Sequence, residues 1–314
     1  MKRRLLLCAL LAACVPTEPE KDPRGGVAVT FAPSEATAGA PFQSPDGWTV
    51  TIEKTAIRPL PIATPASVPE FYGGGTSYAR IVDPRYQCEV RVTQMSPGPV
   101  SVSVQLQPVD PRWNPEEEVE VCAVDEATAR RFRTFSDDTP VTPDLFTNDP
   151  EQYQYTASYA PTVYVKGTAV KDGRVLAFDL ALAVSTALAG YSGRGDYDED
   201  GNYQPQPPAP DTVVNVVANQ GTPVRFEVHF ESMFAGGIDP LAAADADHDG
   251  RVTAAELRAV VLACDSTSAS SSSGGATYDP YAPQPYPSQP QCRTLLDQLV
   301  LQASTIMGTK PSQR

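Results

Sequence analysis

Apolar and polar residues alternate along many short stretches of the chain between residues 27 and 234. In residues 100–106 valine or leucine stands at every even position, and serine or glutamine at every odd one. A period of two puts alternate side chains on opposite faces of a β-strand, so this stretch predicts a strand with one buried face. The same alternation recurs at 48–52, 88–92, 119–123 and 224–230.

The connections between these stretches predict how the strands are arranged. Asp172-Gly173 separates the runs 163–171 and 174–184 and predicts a hairpin with a tight turn. One short helix is predicted after Asp125, through residues 127–132. At least seven strands, turns rich in proline and glycine and no strand–helix rhythm predict a mainly β fold. We expect an antiparallel sandwich of immunoglobulin-like or Greek-key type over residues 27–235.

Helical spacing replaces the alternation after Gly236-Gly237. Asp239-Pro240 predicts a helix N-terminus with Asp239 as the N-cap, followed by a short helix at 241–244. A second helix is predicted from Thr253, and a last one from Cys292. The second helix would present one apolar face made of Leu257, Val260, Val261 and Cys264. The last would present Leu295, Leu296, Leu299, Ala303 and Ile306. Residues 236–314 therefore predict a small helical module, interrupted at 265–291 by a serine-, tyrosine- and proline-rich insertion.

Between the first two of these helices, residues 245–256 resemble the calcium-binding loop of an EF-hand. Calcium is a hard cation that takes about six to eight oxygen ligands. Asp245, Asp247 and Asp249 offer carboxylates at loop positions 1, 3 and 5. Gly250 at position 6 permits the sharp turn that this loop requires.

The second half of the loop follows the same pattern. Arg251 at position 7 offers its backbone carbonyl, and Thr253 at position 9 binds directly or through water. Glu256 at position 12 would bind through both carboxylate oxygens, and Val252 at position 8 is apolar. Thr253 and Glu256 also form a capping-box pattern for the following helix. The entering helix is short and a second complete loop is absent from the sequence, which favours structural calcium over a sensor role.

A second acidic stretch repeats half of this motif. Asp196, Asp198 and Asp200 precede Gly201, but the twelfth position is Pro207 and no helical pattern follows. Two interpretations stay open. The stretch is either a weaker calcium loop of non-helical type or an exposed acidic turn.

The N-terminal residues indicate export. A Lys-Arg-Arg start and a short apolar run are typical of a signal peptide. The end of the run, Leu11-Ala12-Ala13-Cys14, resembles the lipobox of bacterial lipoproteins. The resemblance implies a signal peptide at 1–13, a lipid on Cys14 and a tether at 14–26. Val15 in place of aspartate implies sorting to the outer membrane. The alternative is an ordinary secretory peptide with a chance cysteine.

Net charge and cysteine content indicate which partners and which cellular compartment to expect. The formal net charge of −14 argues against a nucleic-acid partner, because such binding depends on neutralising phosphates. Four cysteines follow Cys14, an even number that predicts two disulfides in an oxidising compartment. Three pairings are open. We favour the two within-region pairs, Cys88 with Cys122 and Cys264 with Cys292.

The sequence contains few residues or motifs that would indicate catalysis. It contains two histidines, His229 and His248, and lacks the common nucleophile, zinc-protease and phosphate-loop motifs. We therefore expect a protein that is not an enzyme. The alternative uses His229, which stands between Glu227 and Glu231, as a transition-metal ligand in a metal-delivery protein or an enzyme.

Several stretches together resemble a group of uncharacterised Gram-negative lipoproteins. These stretches are 46–52, 163–169, and 228–234 with the calcium loop that follows. The family carries a β-sandwich beyond the membrane, and some members append an EF-hand. The β-region is also similar to periplasmic copper-binding lipoproteins, although no copper ligands map onto this chain. The resemblance implies a lipid-anchored, calcium-binding envelope protein. A calcium-dependent module that recognises a glycan or another envelope protein is the alternative.

Overall fold

The computed structural model describes residues 24–65, 80–106, 120–134, 160–184, 186–188, 196–197, 203–204, 213–264 and 292–307. Within these ranges the chain is mainly β, with strands in several sheets, as the alternation predicted. The strands are β1 (Gly25–Pro33), β2 (Phe42–Gln43), β3 (Thr49–Ile57), β4 (Leu60–Pro65), β5 (Arg80–Val82), β6 (Glu89–Met95), β7 (Gly98–Leu106), β8 (Glu120–Cys122), β9 (Val163–Lys171), β10 (Arg174–Leu182), β11 (Thr186–Leu188), β12 (Asp196–Tyr197), β13 (Tyr203–Gln204), β14 (Val213–Val216), β15 (Gly221–Val228), β16 (Arg251–Val252), β17 (Val261–Cys264) and β18 (Cys292–Thr294). The helices are α1 (Glu126–Arg131), α2 (Asp239–Ala244), α3 (Ala254–Ala259) and α4 (Leu295–Ala303), and a 3-10 turn covers Phe230–Phe234.

Three sheets carry most of these strands. The first has the order β15-β1-β6, and the largest has the order β16-β10-β9-β3-β5-β8 with β2 beside β3. The third has the order β11-β7-β14, with β4 also on β7. Most neighbours are antiparallel, but β1–β15, β5–β8 and β10–β16 are parallel. The expectation of a wholly antiparallel arrangement is wrong at these pairs. Parallel neighbours need long connections, and each of these pairs is separated by a long stretch of chain.

One continuous apolar core joins the sheets to α2, α3 and α4. Its largest fully buried side chains include Trp48, Phe178, Phe226 and Phe234. The even positions of β7 are buried as predicted. Ser101 and Ser103 are buried too, so β7 does not have the single buried face that its alternation predicted. A serine side chain is small, and its hydroxyl can be satisfied inside the protein by one hydrogen bond.

The predicted hairpin and the first helix are confirmed. Strands β9 and β10 pair antiparallel, and the turn between them holds Asp172 at φ 51° and Gly173 at φ 78°. Both left-handed conformations suit a two-residue hairpin turn. Helix α1 begins after Asp125, whose side chain accepts a hydrogen bond from the Thr128 backbone N–H at 2.9 Å.

The helix predicted from Thr253 to Cys264 is wrong in its second half. Helix α3 ends at Ala259, and the following residues form β17, which pairs antiparallel with β18. Val261, assigned to the buried face, is 55% exposed. Two successive β-branched residues, Val260 and Val261, favour extended backbone over helix. The helical spacing of apolar residues beyond Leu257 was therefore misleading.

Two other helix starts differ from the prediction. Asp239 is the first residue of α2 and not its N-cap; Ile238 holds that position. Helix α4 begins at Leu295, after β18, with Thr294 as N-cap in a capping box with Asp297. The residues of its predicted apolar face are confirmed as buried, namely Leu295, Leu296, Leu299 and Ala303. Ile306 is buried too, but it lies beyond the end of the helix at Ala303.

The cysteines fall into two pairs along the fold. Cys88 and Cys122 form a disulfide, with Cα atoms 6.0 Å apart, which confirms one of the favoured pairs. The register of β17 and β18 sets Cys264 directly opposite Cys292. The bond between the second pair stays a prediction.

Candidate metal centre

Three aspartates come together in the loop between α2 and α3. One carboxylate oxygen from each of Asp245, Asp247 and Asp249 lies within 4.8 Å of the other two. Asp247 and Asp249 are exposed, whereas Asp245 is only 5% exposed. In the part of the chain that the structure describes, these residues form the one group of three side chains that could hold a metal ion.

The carboxylate of Asp245 has one satisfied and one unsatisfied oxygen. Its Oδ2 accepts a hydrogen bond from the Gly250 N–H at 3.2 Å. Its Oδ1 is buried and has no hydrogen-bond donor among the described residues. An unpaired buried carboxylate oxygen is costly, and a cation bound between the three aspartates would compensate it. Carboxylate oxygens suit a hard cation such as calcium, so the donor set fits the predicted metal.

Local backbone geometry shapes the turn that carries the aspartates. Gly250 has φ 78° and His248 has φ 58°. Glycine adopts this conformation without strain, which fits the demand of loop position 6. The Asp249 N–H donates to Asp247 Oδ1 at 3.2 Å, and the Arg251 N–H donates to Asp249 Oδ1 at 2.7 Å. These bonds leave the second oxygen of each carboxylate for another partner.

Glu256 lies outside the aspartate group. Its Oε2 accepts hydrogen bonds from the N–H and Oγ1 of Thr253, each at 2.8 Å. Its Oε1 accepts from the Ala246 N–H at 3.2 Å. The predicted capping box is therefore present, because Thr253 Oγ1 also accepts from the Glu256 N–H. Both carboxylate oxygens of Glu256 are engaged with the first and last parts of the loop itself.

The middle of the loop is part of the largest sheet. Arg251 and Val252 form β16, which pairs parallel with Ala177 and Phe178 of β10. The Ala177 N–H donates to the Gly250 carbonyl at 2.8 Å. The Val252 side chain is buried in the common core.

The start of α2 is held by residues near strand β3. Asp46 accepts hydrogen bonds from the backbone N–H groups of Ile238 at 2.6 Å and Asp239 at 2.5 Å. Burial raises the pKa of Asp46, but hydrogen bonds from Ser44 and from these N–H groups outweigh it and leave the pKa below its usual value. The pKa of Asp239 is also lowered, by hydrogen bonds from Trp48 and Lys171. Sequence patterns could not predict these contacts, because the residues that make them lie far apart in the chain.

His229 lies in a polar network just beyond β15. Its Nδ1 is 2.9 Å from Glu231 Oε1, and its Nε2 is 3.7 Å from Glu227 Oε2. Glu231 Oε2 also accepts hydrogen bonds from Ser34 at 2.7 Å and Thr37 at 3.2 Å. Burial raises the pKa of Glu231, but hydrogen bonds, led by that from Ser34, bring it below its usual value. The histidine contacts both expected glutamates.

The other predicted sites lie wholly or largely outside the described residues. Strands β12 and β13 pair, with Asp196 opposite Gln204 and Tyr197 opposite Tyr203. Asp198 and Asp200, between these strands, lie outside the described residues, as do Cys14, the signal segment and the tether as far as residue 23. The predicted end of the tether at residue 26 is wrong, because Gly25 and Gly26 already belong to β1 and pair in its sheet. Helices long and apolar enough to cross a membrane are not found in the described ranges.

A groove that the sequence did not reveal opens beside the N-terminal end of β1. Its volume is about 400 Å³. Polar and charged side chains line it: Arg24, Glu89, Arg91, Thr93, Asn219 and Gln220. Gly25, Gly26 and Gly221 also line it, so ligand groups can approach the backbone there.

Comparison of the chain with models of protein families, with curated proteins and with solved structures finds no match.

Proposed function

We propose that this protein binds one calcium ion in the loop of residues 245–256, and that the ion stabilises the fold. The observation that supports this most is the buried Asp245 Oδ1, which lacks a donor among the described residues and stands in a group of three carboxylates. The loop pattern adds the turn glycine and the capping box. Glu256 would become a ligand by exchanging its hydrogen bonds with Ala246 and Thr253 for the ion.

Calorimetric titration and thermal unfolding with calcium test this proposal. A site outside the cytoplasm with a dissociation constant of about 0.1 mM would add about 1.4 kcal/mol of stability in about 1 mM calcium. We expect one binding event and a higher melting temperature. Unchanged melting in calcium would contradict the structural role.

The matched variants are Glu256→Gln and Asp297→Asn. Both replace a carboxylate by an amide at the third position of a capping box, at α3 and α4 respectively. Glutamine and asparagine can still accept the capping hydrogen bonds. Glu256→Gln should abolish the calcium response, and Asp297→Asn should keep it. Equal responses in both variants would mean that the ion binds elsewhere.

The same proposal places the protein in the cell envelope, attached through a lipid on Cys14 and without enzymatic activity. Its support is the lipobox resemblance at residues 11–14 and the polar stretch that follows. Labelled palmitate should be incorporated into the expressed protein, and Cys14→Ser should lose the label. Labelling of Cys14→Ser would place the lipid on another residue.

The second candidate function is calcium-dependent recognition of a glycan or an envelope protein. The groove beside β1 favours it, because guanidinium, carboxylate and amide groups there suit hydroxyl- and carboxylate-bearing ligands. Binding on a glycan array that EDTA removes and that Arg91→Ala weakens would support this function. Absence of binding over a broad array would count against a glycan ligand.

A further inference from the structure

We propose that strand β10 pairs with the calcium loop in place of a second EF-hand loop. In paired EF-hands, the two loops pair with each other. This inference rests on the proposed calcium function and adds that the sandwich sets the affinity of the site. It makes Ala177 a positioning residue for the ion, acting through its backbone N–H. It also makes calcium a stabiliser of the β9–β10 hairpin.

The first support is the pairing itself. Arg251 and Val252, at loop positions 7 and 8, lie beside Ala177 and Phe178 in a parallel ladder. The Ala177 N–H belongs to the same ladder and donates a hydrogen bond to the Gly250 carbonyl oxygen at 2.8 Å. A Cβ atom on Gly250 would lie 3.1 Å from the Val175 carbonyl oxygen. The turn of the loop therefore rests against β10.

The second support is a short chain of hydrogen bonds from β10 to a metal ligand. Gly250 accepts from the Ala177 N–H through its carbonyl and donates to Asp245 Oδ2 through its own N–H at 3.2 Å. Asp245 carries the buried oxygen that lacks a donor among the described residues. Displacement of β10 would move Gly250, and the Asp245 carboxylate would move with it.

The third support is the shared core. Val252 and Leu257, which flank the last ligands, are buried in the core that includes Phe178. The ring of Phe178 lies 5.1 Å from that of Phe234, just upstream of α2. Loop and sheet are thus packed by the same side chains, and a change in one is transmitted to the other.

Coupling of this kind is reciprocal, because a ligand that favours the ordered loop also favours the ordered strand. Calcium should increase amide protection on β10, and loss of packing between loop and β10 should weaken calcium binding. Both effects should be smaller in the sheet β15-β1-β6, which shares the core but holds no strand of the loop.

Hydrogen exchange on the full wild-type chain tests the first effect. We expect calcium to slow exchange of the Ala177 and Phe178 amides by a larger factor than that of the Val90 amide on β6. Equal slowing at all three amides would reflect global stabilisation alone and would overturn the inference. An unchanged Ala177 amide, in protein whose calcium binding is measured by calorimetry, would also overturn it.

Paired core variants test the second effect. Val252→Ala and Val90→Ala remove the same atoms from buried positions, in β16 and in β6. We expect Val252→Ala to weaken calcium binding by about five-fold or more, and Val90→Ala to weaken it much less. Equal weakening in both would overturn the inference. If the wild-type chain binds no calcium, the proposed function itself fails, whereas a wild-type site with unaltered affinity in Val252→Ala removes only the role of β10.

Discussion

The indole N–H of Trp48 donates a hydrogen bond of 2.7 Å to the carboxylate of Asp239. Trp48 is fully buried beside β3, and Asp239 is the first residue of α2, the helix that leads into the loop of residues 245–256. Lys171 at the end of β9 donates to the same carboxylate at 3.1 Å, and its ammonium lies 5.9 Å from the Trp48 ring centroid. The entry to the loop is therefore fixed to the largest sheet.

We expect Trp48→Phe to lower the free energy of unfolding, through lost packing and through the lost donor to Asp239. Trp48→Phe and Asp239→Ala should be coupled, because each removes one partner of the same hydrogen bond to a charged group. Urea unfolding of Trp48→Phe, Asp239→Ala and the double variant measures this coupling as a double-mutant cycle. Additive losses in the double variant would mean that the hydrogen bond contributes nothing.

Arg85 should be far more important for stability than Arg91. The Nε–H of Arg85 donates at 3.0 Å to both carboxylate oxygens of Asp83, whose side chain is buried. Without the guanidinium, the buried Asp83 carboxylate keeps only its hydrogen bonds from Thr55 and from the backbone N–H of residue 85, so Arg85→Met should cost about 1–3 kcal/mol. Arg91 pairs with Glu89 on the surface, where solvent screens the pair, and Arg91→Met should leave the free energy of unfolding nearly unchanged. Equal effects in denaturant unfolding would contradict the assignment.

In calcium-free buffer, the free energy of unfolding should fall as the solution is made acidic. Asp46, Asp125 and Glu231 all have folded-state pKa values below their ordinary values of 3.8 and 4.5; that of Asp125 is lowered to about 2, by Lys54 first and then Thr128. A lowered pKa contributes stability above the unfolded-state pKa and loses it as the group is protonated. Unfolding free energy should hold above about pH 4.5 and decline towards about pH 2. Asp46→Asn should reduce the slope of unfolding free energy against pH between about pH 4.5 and 2. An unfolding free energy that rises as the pH falls through this range would refute the prediction.

Cys264 and Cys292 should be bonded in the oxidised protein. The strand register sets them opposite each other, and their bond would close a loop of about 30 residues, which is worth about 3–4 kcal/mol in the chain-entropy model. Alkylation under denaturing, non-reducing conditions should find none of the four downstream cysteines free, and peptide mapping should link 264 with 292. The double variant Cys88→Ser/Cys122→Ser should keep that link. Two free thiols, or a link from either region to the other, would disprove this pairing.

Replacing His229 should leave metal binding unchanged. Its Nδ1 is engaged by Glu231, and its side chain is 35% exposed at the end of β15. We expect His229→Gln to bind calcium with wild-type affinity and to purify with the same copper and zinc content. A loss of bound copper or zinc in the variant would instead favour the metal-delivery alternative.

The sequence predicted what depends on local pattern. Alternation located β3, β7 and β15, and the Asp172-Gly173 pair located the hairpin. The loop pattern also predicted that Asp245, Asp247 and Asp249 lie close together. Each of these signals is contained in a short window, in which side-chain period or turn chemistry alone decides the outcome.

The rest depends on contacts between distant parts of the chain. Residues 261–264 were predicted as helix but form a strand, because β18, which follows the insertion in the chain, pairs with them. The parallel pairing of β1 with β15 and the capping of α2 by Asp46 likewise join residues roughly 190 positions apart. A short window cannot contain both partners, so its pattern does not specify the pairing.

The pairing of β17 with β18 also bears on how the polypeptide tolerates a cut. Cys264 and Cys292, the residues on either side of the segment 265–291, lie opposite each other in this pairing, and α4 beyond them is packed in the core. Proteolytic cleavage within 265–291 would then yield two fragments that stay associated as a single particle. Separation would require unfolding together with reduction of the predicted bond, so nicked protein should migrate intact by gel filtration and split only on a reducing denaturing gel.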